Sequence, residues 1–246
     1  MKKILKRILL ILLALILLIS AGFVAWASFP LGPGAEATAA LASHSSVTVQ
    51  MSTNWITFSP AGAQPTAGFI FYPGGRVDYR SYAPLLKPLA AKGYLVVLVR
   101  LPLSMAVFSP GKADQVISAF PDIKTWSIGG HSLGGAMAAN YVYTHPDALK
   151  GLVSWASYPA ENNSLANFPI KVFSIYGSED GGLTGIESSA ALLPADTTWY
   201  RIEGGNHAQF GDYGLQPGDG TATILPQEQW GQIIEETAAF LQGLQE

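Results

Sequence analysis

The sequence predicts an α/β fold: a doubly wound, mostly parallel sheet, preceded by a separate N-terminal apolar helix. Three observations predict it. Apolar runs without alternation at 68–72 and 94–99 read as strands covered on both faces. Stretches with helical spacing lie between such runs, so strand and helix alternate. The N-terminus stands apart, with Lys2, Lys3, Lys6 and Arg7 ahead of an almost unbroken apolar run from Ile8 to Trp26.

That run comes first in the chain. Nineteen helical residues rise about 28 Å, close to the hydrocarbon thickness of a bilayer. Residues 1–27 therefore read as a signal anchor, or as a signal peptide cleaved at Ala25-Trp26-Ala27. Nothing polar marks an outward face, which argues against a buried core helix. In either case the basic cluster stays in the cytoplasm and the rest is exported. The expected location is the cell membrane, single-pass with the folded domain outside, or secretion if the segment is removed. Residues 28–45 are rich in Gly, Pro, Ala and Ser and read as a spacer, leaving 46–246 as one domain.

Residues 47–51 and 55–58 carry β-branched and aromatic side chains and read as an opening hairpin. After the strand at 68–72, residues 81–92 place Tyr82, Leu85, Leu86 and Leu89 at helical spacing, with Pro88 as a kink and Gly93 as the stop. A helix follows at 112–120, a strand at 125–128, a helix at 134–144, and strands at 152–156 and 171–176. A short helix at 186–192, a strand at 198–202 and a final helix at 227–244 complete the series. In such a sheet a ligand sits beyond the carboxyl ends of the strands.

Composition narrows the function. The 246 residues are 49% hydrophobic, enough for one sizeable core. There is no cysteine, which excludes disulfides and a thiol nucleophile. Four of the 14 basic residues lie before position 8, so ten remain against 17 acidic ones. An exported part near −7 with no basic stripe excludes nucleic acid as the natural partner. Residues 8–26 make a membrane one expected partner. No histidine or carboxylate set has metal-ligand spacing, so neither a metal nor another cofactor is implied.

The most informative motif is Gly130-His131-Ser132-Leu133-Gly134. Twenty serines and 26 glycines in this length give about 0.2 chance matches to Gly-x-Ser-x-Gly. Context therefore has to carry the reading. A strand precedes the motif and a helix of small residues follows it, the setting of a nucleophile elbow. A serine nucleophile needs a base. Of four histidines, His44 lies in the spacer, His131 adjoins Ser132 and His145 ends a helix, leaving His207. The acid should follow the strand at 171–176, where Asp180 is preferred to Glu179 because flanking glycines let a short side chain project. Two backbone amides should hold an oxyanion. Leu133 supplies one, and the loop Pro73-Gly74-Gly75-Arg76 the other, with Gly75 favoured and Gly74 and Arg76 left open.

Together these residues resemble the α/β-hydrolase superfamily over residue 47 to the C-terminus, in the order Ser, Asp, His with the oxyanion loop upstream. The segments 72–75, 130–135 and 204–211 look like the compact bacterial, dienelactone-hydrolase-like branch. The resemblance implies Ser132 as nucleophile, Asp180 as acid, His207 as base, and cleavage of an ester-like acyl bond in a small-molecule acyl substrate. It departs at Pro73, where many members have histidine, so the loop's hydrogen bonding should differ. Serine at the elbow disfavours a dehalogenase, and a dienelactone hydrolase in the narrow sense usually carries cysteine there. Too few residues separate 156 from 171 for a cap domain, so the pocket should be open. Tyr158 and Phe210 are the expected substrate-binding side chains, with residues 103–108 and Tyr213 as further candidates. The same triad would serve a thioesterase, peptidase or acyltransferase, and the fold also occurs as a binding module.

Overall fold

The protein is described here by a computed structural model covering residues 2–245. Eight strands form one sheet: β1 (Val47–Met51), β2 (Trp55–Pro60), β3 (Ala67–Tyr72), β4 (Leu95–Val99), β5 (Thr125–His131), β6 (Gly151–Trp155), β7 (Lys171–Gly177) and β8 (Thr198–Ile202). Their spatial order is β1-β2-β4-β3-β5-β6-β7-β8. β1 pairs antiparallel with β2, and β2 antiparallel with β4; all other pairs are parallel. This is the doubly wound, mostly parallel sheet that the sequence predicts.

Seven α-helices accompany it: α1 (Lys2–Ala27), α2 (Ala35–Ala40), α3 (Ala83–Ala91), α4 (Lys112–Ala119), α5 (Leu133–Thr144), α6 (Leu183–Ser188) and α7 (Pro226–Gly243). The strand side chains alternate between two cores. Phe69, Phe71, Trp155 and Phe173 pack with α3 and α7 on one face. Ile70, Tyr72, Ile128 and Leu152 pack with α4 and α5 on the other. Period-two alternation with both faces apolar is why these strands read as continuous hydrophobic runs. Phe71 and Trp155, with ring centroids 4.5 Å apart, are both fully buried. Each such side chain contributes roughly 1.5–3 kcal/mol by leaving water. Pro88 sits inside α3, as expected, and Tyr79–Tyr82 forms a short 3-10 turn ahead of it.

Helix α1 is long and apolar enough to cross a membrane, and only Ala27 of it is buried. The segment expected as a spacer is instead stitched to the domain. Leu31 bridges Val77 as a short parallel pair, its N–H donating to the Arg76 carbonyl at 2.8 Å. The Gly34 N–H donates to the Asp212 carbonyl, and the Ala37 N–H to its carboxylate, both at 2.8 Å. Its Gly and Pro residues allow a non-helical path over 29–34 before α2 begins, and the partners that hold it there are 45 or more residues away in sequence.

Candidate active site

The turn between β5 and α5 positions Ser132. Its backbone has φ 52° and ψ −124°, a conformation that costs an L-residue of order 1–3 kcal/mol. Main-chain crowding explains two flanking glycines. A Cβ on Gly130 would meet the Gly134 carbonyl carbon at 2.5 Å, and one on Gly134 would lie 2.4 Å from the Pro73 carbonyl oxygen. The Ser132 N–H donates to the Trp155 carbonyl at 3.0 Å, and Ser157 Oγ donates to the Ser132 carbonyl at 2.6 Å, fixing the turn from β6.

His207 and Asp180 come from the loops after β8 and β7. His207 Nδ1 donates to Asp180 Oδ2 at 2.9 Å, with the carboxylate fully buried and the imidazole 13% exposed. The bond fixes the tautomer and leaves Nε2 as acceptor. Asp180 Oδ1 accepts from the Gly182 N–H at 2.6 Å. Glu179, the alternative acid, is exposed and accepts from Ser178 Oγ instead. Ser132, Asp180 and His207 line one cavity of about 430 Å³ with Leu133, Ala136 and Tyr158. Among the described residues no hydrogen bond joins Ser132 Oγ to His207 Nε2. Catalytic hydrogen bonds are often long before substrate arrives and tighten in the complex.

The oxyanion candidates separate by their hydrogen bonds. The Gly74 N–H donates to Tyr82 Oη at 2.9 Å, and the Arg76 N–H donates to the Ser104 carbonyl at 2.8 Å. Both amides are thus engaged. The Gly75 and Leu133 amides make no such bond among the described residues, and a Cβ on Gly75 would lie 3.0 Å from a Leu133 methyl. Two free donors therefore sit side by side, one of them in the first turn of α5, where helix N–H groups are unpaired.

Three groups in this site escaped the sequence reading. Tyr82 is fully buried, and having accepted from Gly74 it donates its O–H to His131 Nδ1 at 2.8 Å. His131 therefore carries its proton on Nε2, with its ring centroid 4.4 Å from that of His207. Burial, and secondarily the neighbouring His207, hold the His131 pKa well below 6.5, so the ring is neutral. Asp219 is the third group. Its carboxylate accepts from the N–H groups of His207 (3.2 Å), Ala208 (2.7 Å), Gly181 (3.1 Å) and Gly220 (2.8 Å), tying the histidine loop to the Asp180 loop. Tyr82 occupies a helix-periodic position and reads as plain core; Asp219 lies in a Gly-rich loop that carries no motif.

The expected substrate contacts divide. Tyr158 is 40% exposed and borders the Ser132 cavity. Phe210 does not border it: the ring is fully buried and stacks on His131, with centroids 5.6 Å apart and planes 11° apart. Burying that ring under the elbow gains more than exposing it to a ligand site. Tyr213 is likewise core, its hydroxyl donating to the His207 carbonyl at 3.3 Å. Residues 103–108 lie outside the cavity wall, on the side facing α1. Fifteen residues, 156–170, join β6 to β7 with a single 3-10 turn, so no cap domain enters there.

Among solved structures, the chain is similar to an esterase from Pyrobaculum calidifontis, at TM-score 0.65, 15% identity and 92% coverage of each chain. It is similar to a dienelactone hydrolase from Anabaena variabilis at TM-score 0.61 and 15% identity, covering 80% of this chain and 98% of that one. It also resembles a CIB-like hydrolase from Thermoplasma acidophilum at TM-score 0.56 and 14% identity, covering 78% and 99%. At such identities the likeness is one of fold. No curated protein matches by sequence. The model of the alpha/beta hydrolase family matches residues 68–231, two thirds of the sequence, and the chain belongs to that family.

Proposed function

We propose that the protein is a serine hydrolase that cleaves an ester-type acyl bond through an acyl-enzyme, on the outer side of a membrane. Ser132 Oγ attacks the carbonyl carbon while His207 Nε2 takes its proton. Asp180 holds the imidazole and stabilises the imidazolium. The Gly75 and Leu133 amides receive the oxyanion, where removing one donor typically costs 10²–10³-fold in rate. Collapse of the tetrahedral intermediate breaks the bond to the leaving oxygen, and His207 returns the proton to it. Water, deprotonated by His207, then releases the acid and restores Ser132.

One observation carries the reading: a buried carboxylate 2.9 Å from an imidazole that shares a cavity with a serine held at positive φ. A solvated surface histidine has no need of a desolvated partner. The esterase and the dienelactone hydrolase that share this fold are in keeping with ester chemistry. The outward side follows from Lys2, Lys3, Lys6 and Arg7 ahead of the apolar helix.

A fluorophosphonate probe and a panel of chromogenic esters test it together. Labelling at Ser132, with ester hydrolysis lost in Ser132→Ala, is the expected result. Equal rates for the two proteins, or a folded protein that never labels, would overturn it. Protease added to intact cells should digest the domain.

A further inference from the structure

The loop that carries the Gly75 amide is also the loop that holds the end of the apolar helix. Arg76 follows Gly75 directly, with φ 56°, and its guanidinium lies 3.9 Å over the Trp26 ring. Its Nη2 donates to the Phe29 carbonyl at 2.9 Å. Val77 pairs with Leu31, and the Asp78 N–H donates to the Leu31 carbonyl at 2.9 Å. The junction between span and domain is therefore rigid and short. Gly75 packs against Leu133, which lines the Ser132 cavity, and the residues after Gly75 receive the helix. Adjacent Cα atoms are about 3.8 Å apart, so the oxyanion site lies on the order of 15 Å from the Trp26 ring. Tryptophan at the end of an apolar span sits at headgroup level.

The surface beside the junction is apolar and open towards the 101–111 loop, while Asp78, Arg80 and Arg100 line the hollow on its other side. Phe29 is 76% exposed, Phe108 50% and Val107 44%. The Phe108 ring meets Phe23 of α1 edge-on at 6.1 Å, so the 101–111 loop abuts the span directly. No charged residue occurs between Ile8 and Ala35, or between Leu101 and Gly111. The Arg76 N–H bond to Ser104 joins this second loop to the oxyanion loop.

We infer that Phe29, Val107 and Phe108 dip into the outer leaflet beside α1, and that the enzyme takes acyl esters lodged at that interface rather than free in water. The inference rests on the proposed serine hydrolase and on α1 as an uncleaved anchor. The reacting carbonyl then needs to rise no more than about 15 Å above headgroup level, a distance that a long acyl chain spans. The acyl chain stays partly in apolar surroundings during attack, with the 101–111 loop as its bridge.

The chain has no cysteine, so single cysteines report local surroundings cleanly. Full-length Phe108→Cys, Ile16→Cys and Lys124→Cys proteins, each carrying an environment-sensitive fluorophore, are placed in phosphatidylcholine vesicles with and without brominated lipid. Lys124 is exposed at the amino-terminal end of β5, at the end of the strands opposite Ser132. Quenching at 16 and 108 but not at 124 is expected. Quenching at 16 alone overturns the docked patch and leaves the anchor standing; quenching at none overturns both. The second arm compares p-nitrophenyl butyrate in solution with p-nitrophenyl palmitate in the vesicles. Phe108→Ser should lower the palmitate rate about fivefold, as expected for losing a half-buried aromatic contact with lipid, and leave the butyrate rate unchanged. Equal loss on both esters, or on neither, overturns the interfacial substrate. A wild type inactive on both overturns the hydrolase reading itself, a result that leaves the fluorescence arm intact.

Discussion

Removing one oxygen atom tests how the site is held. Tyr82→Phe keeps the ring in its packing against Phe71, 5.1 Å between centroids, and deletes only the hydroxyl. That hydroxyl is fully buried and makes two bonds, from the Gly74 N–H at 2.9 Å and to His131 Nδ1 at 2.8 Å. Each buried group left without a partner costs about 1–3 kcal/mol. Part of this is offset because a hydroxyl no longer has to be buried. A net loss of about 2–4 kcal/mol in stability follows.

The effect on rate has a separate origin. With the Gly74 amide released, the neighbouring Gly75 amide is no longer fixed in direction. Partial loss of one oxyanion donor lowers kcat by about 10–100-fold, less than full removal. Because the donor acts on charge that develops only in the transition state, KM should hardly move. Steady-state kinetics on a soluble chromogenic ester, with thermal unfolding of the same preparation, measure both quantities. A kcat within about twofold of wild type would refute the reasoning. So would an unchanged kcat with a raised KM, which would assign the hydroxyl to ground-state binding.

Three further outcomes follow from the same geometry. Gly134→Ala puts a methyl group 2.2 Å from the Tyr72 carbonyl oxygen, and since the main chain must shift, we expect at least ~3 kcal/mol of destabilisation and no Ser132 labelling in what folds. Asp219→Asn replaces a four-bond acceptor with a group that carries donors; kcat should fall about tenfold while circular dichroism stays native. The buried His131 has a folded pKa held well below 6.5, so stability is fully present above pH 6.5 and is lost as pH falls beneath it. The slope approaches about 1.4 kcal/mol per pH unit, visible as a drop in Tm between pH 7.5 and 5.5 that His131→Leu abolishes.

Much of this fold was legible because its signals are local. Unbroken apolar runs such as 95–99 mark strands sandwiched between layers, and the spacing of Tyr82, Leu85, Leu86 and Leu89 marks one buried helix face. The elbow reads from five residues because steric crowding demands glycine at Gly130 and Gly134 whatever the rest of the chain does. Flanking glycines favour Asp180 over Glu179 on reach, and Asp180 is the carboxylate that meets His207. What stayed hidden depends on partners remote in sequence. Phe210 looks like a pocket residue from its place beside His207, yet its ring stacks beneath His131, 79 positions earlier. Composition made 28–45 look like a free spacer, but Asp212 and Val77 capture it. Choosing among Gly74, Gly75 and Arg76 required knowing which amides were already engaged, by Tyr82 and Ser104.

The strand order explains why such remote partners are needed. β3 leads through α3 on one face to β4, and β4 leads through α4 on the other face to β5, so the chain reverses direction across the sheet between β3 and β5. Loops part at that point and leave a crevice beyond the strand ends. Ser132 and the 73–76 loop occupy it without further help, since both leave adjacent strands. His207 starts elsewhere. β8 is three strands from β5, and at about 4.8 Å per strand the histidine loop must travel back roughly 14 Å to reach the crevice. A loop of that reach, beginning Gly204-Gly205, would be mobile if held only by its own turns. Asp219 bonded to the His207 and Ala208 amides, and Asp180 bonded to the ring, pin its far end where the ring lies 4.4 Å from that of His131. The sheet thus sets the place of Ser132, whereas His207 is brought to it by the Asp180 and Asp219 carboxylates together with Tyr213 and the Asn206–Gln229 pair, and the carboxylate contacts are where substitutions should act on rate before they act on fold.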